Sequence, residues 1–433
     1  MIHLPPRLAV GAIFPDHDPR PLTWALAAAL AEAGFGVQPF RDRANLRDPD
    51  PAGSCARRRT RHLDSWLMSP LLCRRLLRAG TPRDAWAVVS GCYQRRGRET
   101  DSFGGGNLHD LAGALDIPKL AVLDVRRMTA CRVPDLQEWD GFLLQGVESP
   151  AEALRWEITL ALRGGRPVFG WLPAEAESVF DPAPGRTPCR KRCDALGRAL
   201  LPHVRLAALT ALAKRRTVPA AEMIDEPASE SPEPAFRPRI AVAFDEVYDR
   251  YFPETLELLT SSGATLLDFS PLQDDRLPPD VDLVYFGDAD VEGKLASLGA
   301  NCCLAHALRR YANQGGRILA EGRGAIPLGL EAADRDGRAA PMWGLLPVKY
   351  GPLSEREDVP VEYRFANESW FAARGAIARG YGDGGPAFQA PVQRDNVLAV
   401  PTSLAFAAHP RQLQRMLIPP REAAYATVGA DNR

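Results

Sequence analysis

The run Ile240-Ala241-Val242-Ala243-Phe244-Asp245 is short, apolar and partly β-branched, the pattern of a strand buried on both faces. Helical spacing follows over residues 254–261, with Leu256 and Leu259 on nearby faces. Further strands are predicted over 264–269, 281–286 and 316–320, and another helix over 304–311. Alternation at such short intervals predicts a parallel sheet covered on both faces. Toward the N-terminus, strand patterns recur at 7–13, 37–40, 85–89, 118–125, 140–147 and 165–173, with helices at 22–33 and 108–115. The expected fold class is α/β, in two domains.

Residues 216–238 separate these blocks. They carry five prolines and five acidic residues without sustained periodicity, which reads as an exposed linker. The domains are therefore expected at 1–215 and 239–425. A chain of 433 residues can hold two cores. With 45% hydrophobic and 25% charged residues it has an ordinary globular composition. The net charge of −1 singles out no class of partner, so no nucleic acid is expected. No run of about 18 apolar residues occurs, so no membrane is expected either. Residues 1–10 lack the basic-then-apolar order of a signal peptide. The expected compartment is the cytoplasm, and eight cysteines fit a reduced protein there. Cys189 with Cys193, and the vicinal Cys302-Cys303, lack zinc-site spacing, and no metal site is expected.

Several words in the second block carry a resemblance: Ile240 to Asp245, Phe252-Pro253-Glu254, Leu256-Glu257-Leu258-Leu259, Gly263-Ala264, Phe269-Ser270-Pro271-Leu272, Gly287 and Ala320-Glu321. They resemble the C-terminal half of the cobyrinate a,c-diamide synthase family, glutamine-dependent enzymes that amidate carboxylates of a tetrapyrrole. Met342 to Pro347, Gly380-Tyr381 and Asn396 to Ala399 extend the likeness. The resemblance implies a class I glutamine amidotransferase-like domain here, after a P-loop NTPase-like (dethiobiotin-synthetase-like) domain. In the family Ala-Glu precedes Cys-Gly-Gly, and the cysteine attacks the glutamine amide. This chain reads Ala320-Glu321-Gly322-Arg323-Gly324, so the nucleophile's position is Gly322. The two expected histidines fall at Ser403 and Ala405, and His409 belongs to a neighbouring turn. The family's glycine-rich turn becomes Gly287-Asp288-Ala289-Asp290-Val291-Glu292, and acidic side chains beside a developing oxyanion are unfavourable. No glutaminase is expected.

The same comparison runs through the first block. The family's phosphate loop aligns with Phe14-Pro15-Asp16-His17-Asp18-Pro19-Arg20-Pro21. Pro19 takes the lysine's place, three prolines remove N–H donors, and Asp16 and Asp18 repel phosphate. Arg20 at a helix N-terminus remains as an alternative anion site. Ser90 and Gly97 stand where the family's metal-serving carboxylates are implied. ATP and Mg²⁺, the family's cofactors, are thus expected to be lost. Leu63-Asp64-Ser65-Trp66-Leu67-Met68 is the best-kept family word of this half, though Trp66, Leu67 and Met68 also suit a core.

Residues 41–98 hold fourteen arginines, no lysine and five aspartates, a surplus of nine positive charges. Arginine suits bidentate carboxylate recognition, and the implied substrate is fringed with carboxylates. Arg41, Arg43, Asp48, Asp64, Trp66, Arg95, Arg96 and Arg98 are the expected substrate-binding residues. A plain solvated surface is the bland alternative. The expected function is a non-catalytic homologue that binds a tetrapyrrole or a tetrapyrrole-processing protein. Alternatives are amidation with altered catalytic residues and scaffolding of an active paralogue, with homodimer and hetero-oligomer both open.

Overall fold

The computed structural model describes residues 5–14, 17–44, 46, 51–93, 106–129, 136–179, 189–215, 236–353, 359–382 and 389–419. The chain divides into two compact units, Met1–Ser229 and Glu230–Arg433. Residues 216–235 of the expected linker lie outside the described residues.

In the first unit, seven parallel strands form one sheet. They are β1 (Arg7–Ala12), β2 (Gly36–Arg41), β3 (Arg61–His62), β4 (Ala85–Cys92), β5 (Lys119–Asp124), β6 (Gly141–Val147) and β7 (Val168–Pro173). Their order is β3-β2-β4-β1-β5-β6-β7. β1 and β6 are buried along their whole length, as strands covered on both faces must be. The helices are α1 (Arg20–Glu32), α2 (Pro51–Ala56), α3 (Pro70–Gly80), α4 (Leu108–Ala114), α5 (Pro150–Leu162), α6 (Ala174–Val179), α7 (Arg190–Leu200) and α8 (Leu206–Ala213). α1 is buried from Leu22 through Leu30 because it packs against both α2 and α7. Its alanines keep these contacts close. Ser69 and Ser149 cap α3 and α5, each hydroxyl accepting a backbone N–H at 3.2 Å.

The second unit centres on a six-stranded sheet. β8 (Arg239–Ala243), β9 (Thr265–Phe269), β10 (Leu283–Phe286), β11 (Arg317–Glu321) and the strand Val397–Val400 run parallel. Val392–Arg394 is added antiparallel at one edge. Two three-stranded sheets complete the unit. The helices Pro253–Ser261 and Cys302–Asn313 lie where helical spacing is predicted. β8 stops two residues early because Asp245 turns the chain, its Oδ1 accepting the N–H groups of Val247 (2.9 Å) and Tyr248 (3.0 Å). No helix among the described residues is long and apolar enough to cross a membrane.

Candidate functional site

At the C-terminal end of β11 the backbone turns sharply into a 3₁₀ segment, Gly322–Leu328. Gly322 has φ +50°, the left-handed region that a side chain adopts only at a cost. A Cβ built there would stand 2.7 Å from Asp288 Oδ1 and 2.9 Å from Asp288 Cγ. The space into which a residue at 322 would project is thus taken by the Asp288 carboxylate. That carboxylate is 2% exposed. Its Oδ1 accepts the backbone N–H groups of Arg323 at 3.1 Å and Ala289 at 2.9 Å, and Ser403 Oγ donates to Oδ2 at 3.2 Å. The N–H of the residue after a nucleophile is the donor that would hold an oxyanion. Here it holds an oxygen of the protein's own Asp288.

Glu321 lies beside this group and is also 2% exposed. Burial pushes its carboxyl pKa well up, against hydrogen bonds from Tyr285 and the Leu404 N–H, and Asp288 raises it further. Burial thus favours its neutral form. Ala405 is buried and brings no polar atom. His409 sits on a separate partner, with Nε2 2.9 Å from the Arg379 carbonyl, and burial lowers its pKa.

In the first unit, the β1-to-α1 connection opens at the C-terminal edge of the sheet, where ligands of open α/β sheets bind. Asp18 occupies the start of α1. It accepts the Arg20 backbone N–H at 3.0 Å and grips the guanidinium through Nε at 2.7 Å and Nη2 at 2.7 Å. Burial raises the Asp18 pKa, but the bonds from Arg20 outweigh it and leave it low. Arg20 is therefore committed to its neighbour and also leans over Trp24. Pro19 and Pro21 have no N–H, and the one between them is used. These residues do not fit a triphosphate. Asp16 lies outside the described residues.

Sequence reasoning missed a second cluster at this edge. His17 is 8% exposed, and its Nε2 is 4.0 Å from Asp124 Oδ2 without a hydrogen-bond partner among the described residues. Burial holds its pKa low against the pull of Asp124. Asp124 accepts Arg126 through Nε (2.8 Å) and Nη2 (2.9 Å), and Arg126 continues to Glu177 at 2.9 Å. The signal for this ladder was only the Asp-Val-Arg-Arg run that begins at the last residue of β5. Asp42 is a further hidden carboxylate: its Oδ2 accepts the Cys92 N–H at 3.2 Å, and it fills the space beside Gly91 where a Cβ would stand.

The sequence profile of the CobB/CobQ-like glutamine amidotransferase domain matches residues 239–381. Over 397 residues the chain is 28% identical to the cobyrinate a,c-diamide synthase of Syntrophotalea carbinolica, covering 87% of this chain and 85% of the relative. It is 27% identical to the enzyme of the same name from Magnetococcus marinus over 79% of this chain and 77% of the relative. It is 28% identical to the hydrogenobyrinate a,c-diamide synthase of Rhodobacter capsulatus over 79% of this chain and 80% of the relative. Over most of its length the chain is thus similar to proteins named cobyrinate a,c-diamide synthase, and residues 239–381 match the CobB/CobQ-like glutamine amidotransferase domain.

Four of the eight residues expected to meet a synthase-family substrate are described, and two of these, Asp64 and Trp66, are buried. Asp64 is fully buried and braces its own loop, accepting the N–H groups of Ala44 (2.9 Å), Trp66 (2.8 Å) and Leu67 (3.2 Å). Trp66 is buried with it. Arg57 pairs with Asp194 at 3.2 Å, and Arg74 donates to the Ala114 carbonyl at the end of α4. Arg41 and Arg43 are half-buried at and just beyond the C-terminal end of β2. Asp48, Arg95, Arg96, Arg98 and Gly97 lie outside the described residues.

Proposed function

We propose that this protein is a cytoplasmic, non-amidating homologue of cobyrinate a,c-diamide synthase that binds a carboxylate-rich tetrapyrrole. One observation carries the reading. Asp288 sits on the N–H of Arg323 and against Gly322, where an acyl-transfer site needs a nucleophile and an empty oxyanion pocket. Asp18 repeats the arrangement at the start of α1, so each family anion site carries an internal carboxylate. Similarity to proteins named cobyrinate a,c-diamide synthase supports the tetrapyrrole, and Arg41 and Arg43 stand at and just beyond the C-terminal end of β2, the sheet edge where ligands of open α/β sheets bind.

Incubation with glutamine should release no glutamate above a protein-free control. Turnover that persists through rigorous purification and in Asp288→Asn would overturn this part. Calorimetric titration with Mg·ATP should give no dissociation constant below about 10 μM, near −7 kcal/mol. Absorbance titration with cobyrinic acid tests the ligand. Arg41→Ala/Arg43→Ala should weaken binding about tenfold, since charge-assisted contacts are worth roughly 1.5–3 kcal/mol each when desolvated and far less when open to water. Undetectable binding by the wild type would remove the tetrapyrrole from the proposal and leave its non-amidating half standing.

A further inference from the structure

Cys55 on α2 and Cys193 on α7 meet inside the first unit, each 2% exposed. Helix α1 packs against both helices, and α2 and α7 also touch each other, so tertiary packing brings together two sulfurs that lie far apart in the chain. Their side chains share a hydrogen bond, the Cys55 thiol donating to Cys193. That bond does most to lower the Cys193 pKa; burial and Asp194 oppose it, and Arg57 adds to it. Arg57 in turn pairs with Asp194 at 3.2 Å. Cys73 on α3 is buried too but is the opposite case, its thiol pushed by burial up to about 11. A single buried cysteine is an ordinary small apolar residue. Two in side-chain contact, one of them favoured as thiolate, supply both parts of a redox site: a nucleophile, and a neighbour to resolve its oxidised form.

We propose that Cys55 and Cys193 are a modification site for peroxide, at which a reversible disulfide staples α2 to α7. The Cys193 thiolate attacks one peroxide oxygen. An S–O bond forms, the O–O bond breaks, and the departing hydroxide takes up a proton and leaves as water. Cys193 is then a sulfenic acid. The Cys55 sulfur attacks the Cys193 sulfur, an S–S bond forms, the S–O bond breaks, and the hydroxyl leaves as a second water with the Cys55 proton. Two thiols are thereby oxidised to one disulfide and one peroxide is reduced to two waters. Access follows from the shortness of α2. It has six residues and is followed by Arg57 at φ +58°, and so short a helix opens locally with ease. Oxidation should therefore be slow, with that opening as its limiting step.

The test uses the full chain carrying Cys189→Ser, Cys302→Ser and Cys303→Ser, which removes three exposed thiols and leaves five of the eight cysteines. After reduction and desalting, hydrogen peroxide should lower the number of thiols titratable in denaturant by two. Mass spectrometry of a digest made without reductant should find the Cys55 and Cys193 peptides joined, and dithiothreitol should part them. The midpoint of thermal unfolding should rise by about 5 °C on oxidation, because the staple closes a loop of roughly 140 residues in the unfolded chain. Cys55→Ser should stop at a Cys193 sulfenic acid that dimedone traps, whereas Cys193→Ser should leave Cys55 unlabelled. Oxidation that yields no joined Cys55–Cys193 peptide would overturn the proposal. So would dimedone labelling that follows Cys55 and not Cys193. The joined peptide is read with both core cysteines in place, so the test stands even where a serine variant fails to fold.

Discussion

Gly322→Ala should lower the stability of the protein by about 2–4 kcal/mol, a large effect for one methyl group. Two costs combine. The new residue must hold φ +50°, and its Cβ must enter a space 2.7 Å from Asp288 Oδ1. Asp288 cannot step aside freely, because two backbone N–H groups and the Ser403 hydroxyl hold it. Gly322→Cys should be at least as damaging and should show no glutaminase activity, since the thiol would lie against a buried carboxylate and have no imidazole to take its proton. Removing the carboxylate should relieve the crowding. Asp288→Gly/Gly322→Ala should therefore be more stable than the sum of its single changes by about 1–2 kcal/mol, the coupling expected of residues in contact. Urea unfolding of the four proteins provides the cycle. A Gly322→Ala cost within about 0.5 kcal/mol of zero, or strict additivity, is incompatible with Asp288 filling the nucleophile's place.

Glu321 should make the wild type lose stability as the pH rises above the range of an unfolded glutamate. Its folded pKa is raised by burial, so over the interval between the unfolded and folded values the native state binds one proton more than the unfolded chain. Stability then falls with pH by up to about 1.4 kcal/mol per unit for this single group. Below the unfolded pKa the acid is neutral in both states and the effect vanishes. Glu321→Gln keeps the shape and removes the proton. The difference in unfolding free energy between the Glu321→Gln variant and the wild type should therefore grow as the pH rises above the range of an unfolded glutamate. Urea midpoints at three pH values within that interval measure it. A difference that stays flat, or that shrinks with pH, would falsify the assignment of a neutral buried acid at this position.

The alternation of apolar strands with helices was legible residue by residue. The strands predicted at 264–269, 281–286 and 316–320 are found at Thr265–Phe269, Leu283–Phe286 and Arg317–Glu321. Strand periodicity is local and buried parallel strands leave dense apolar runs, so nothing distant had to be known. The family words and the absence of a thiol at Gly322 were legible for the same reason. Helix α5 was not, because a helix apolar on two sides lacks the single stripe by which periodicity is recognised. By sequence Arg20 is the surviving cation of an anion site, yet Asp18 pairs with it from two residues away; rotamers and loop shape decide between those outcomes. The word around Asp64 points to a substrate contact, whereas packing turns its side chain inward onto three backbone N–H groups. Asp288 shows the limit most sharply. Its acidity in the former glycine-rich turn was plain, but its meeting with Gly322 joins the ends of β10 and β11, adjacent strands linked through thirty intervening residues. Side-chain identity follows from the sequence; which backbone N–H a carboxylate reaches is set by strand order and register, and only the folded sheet brings those atoms within hydrogen-bonding distance.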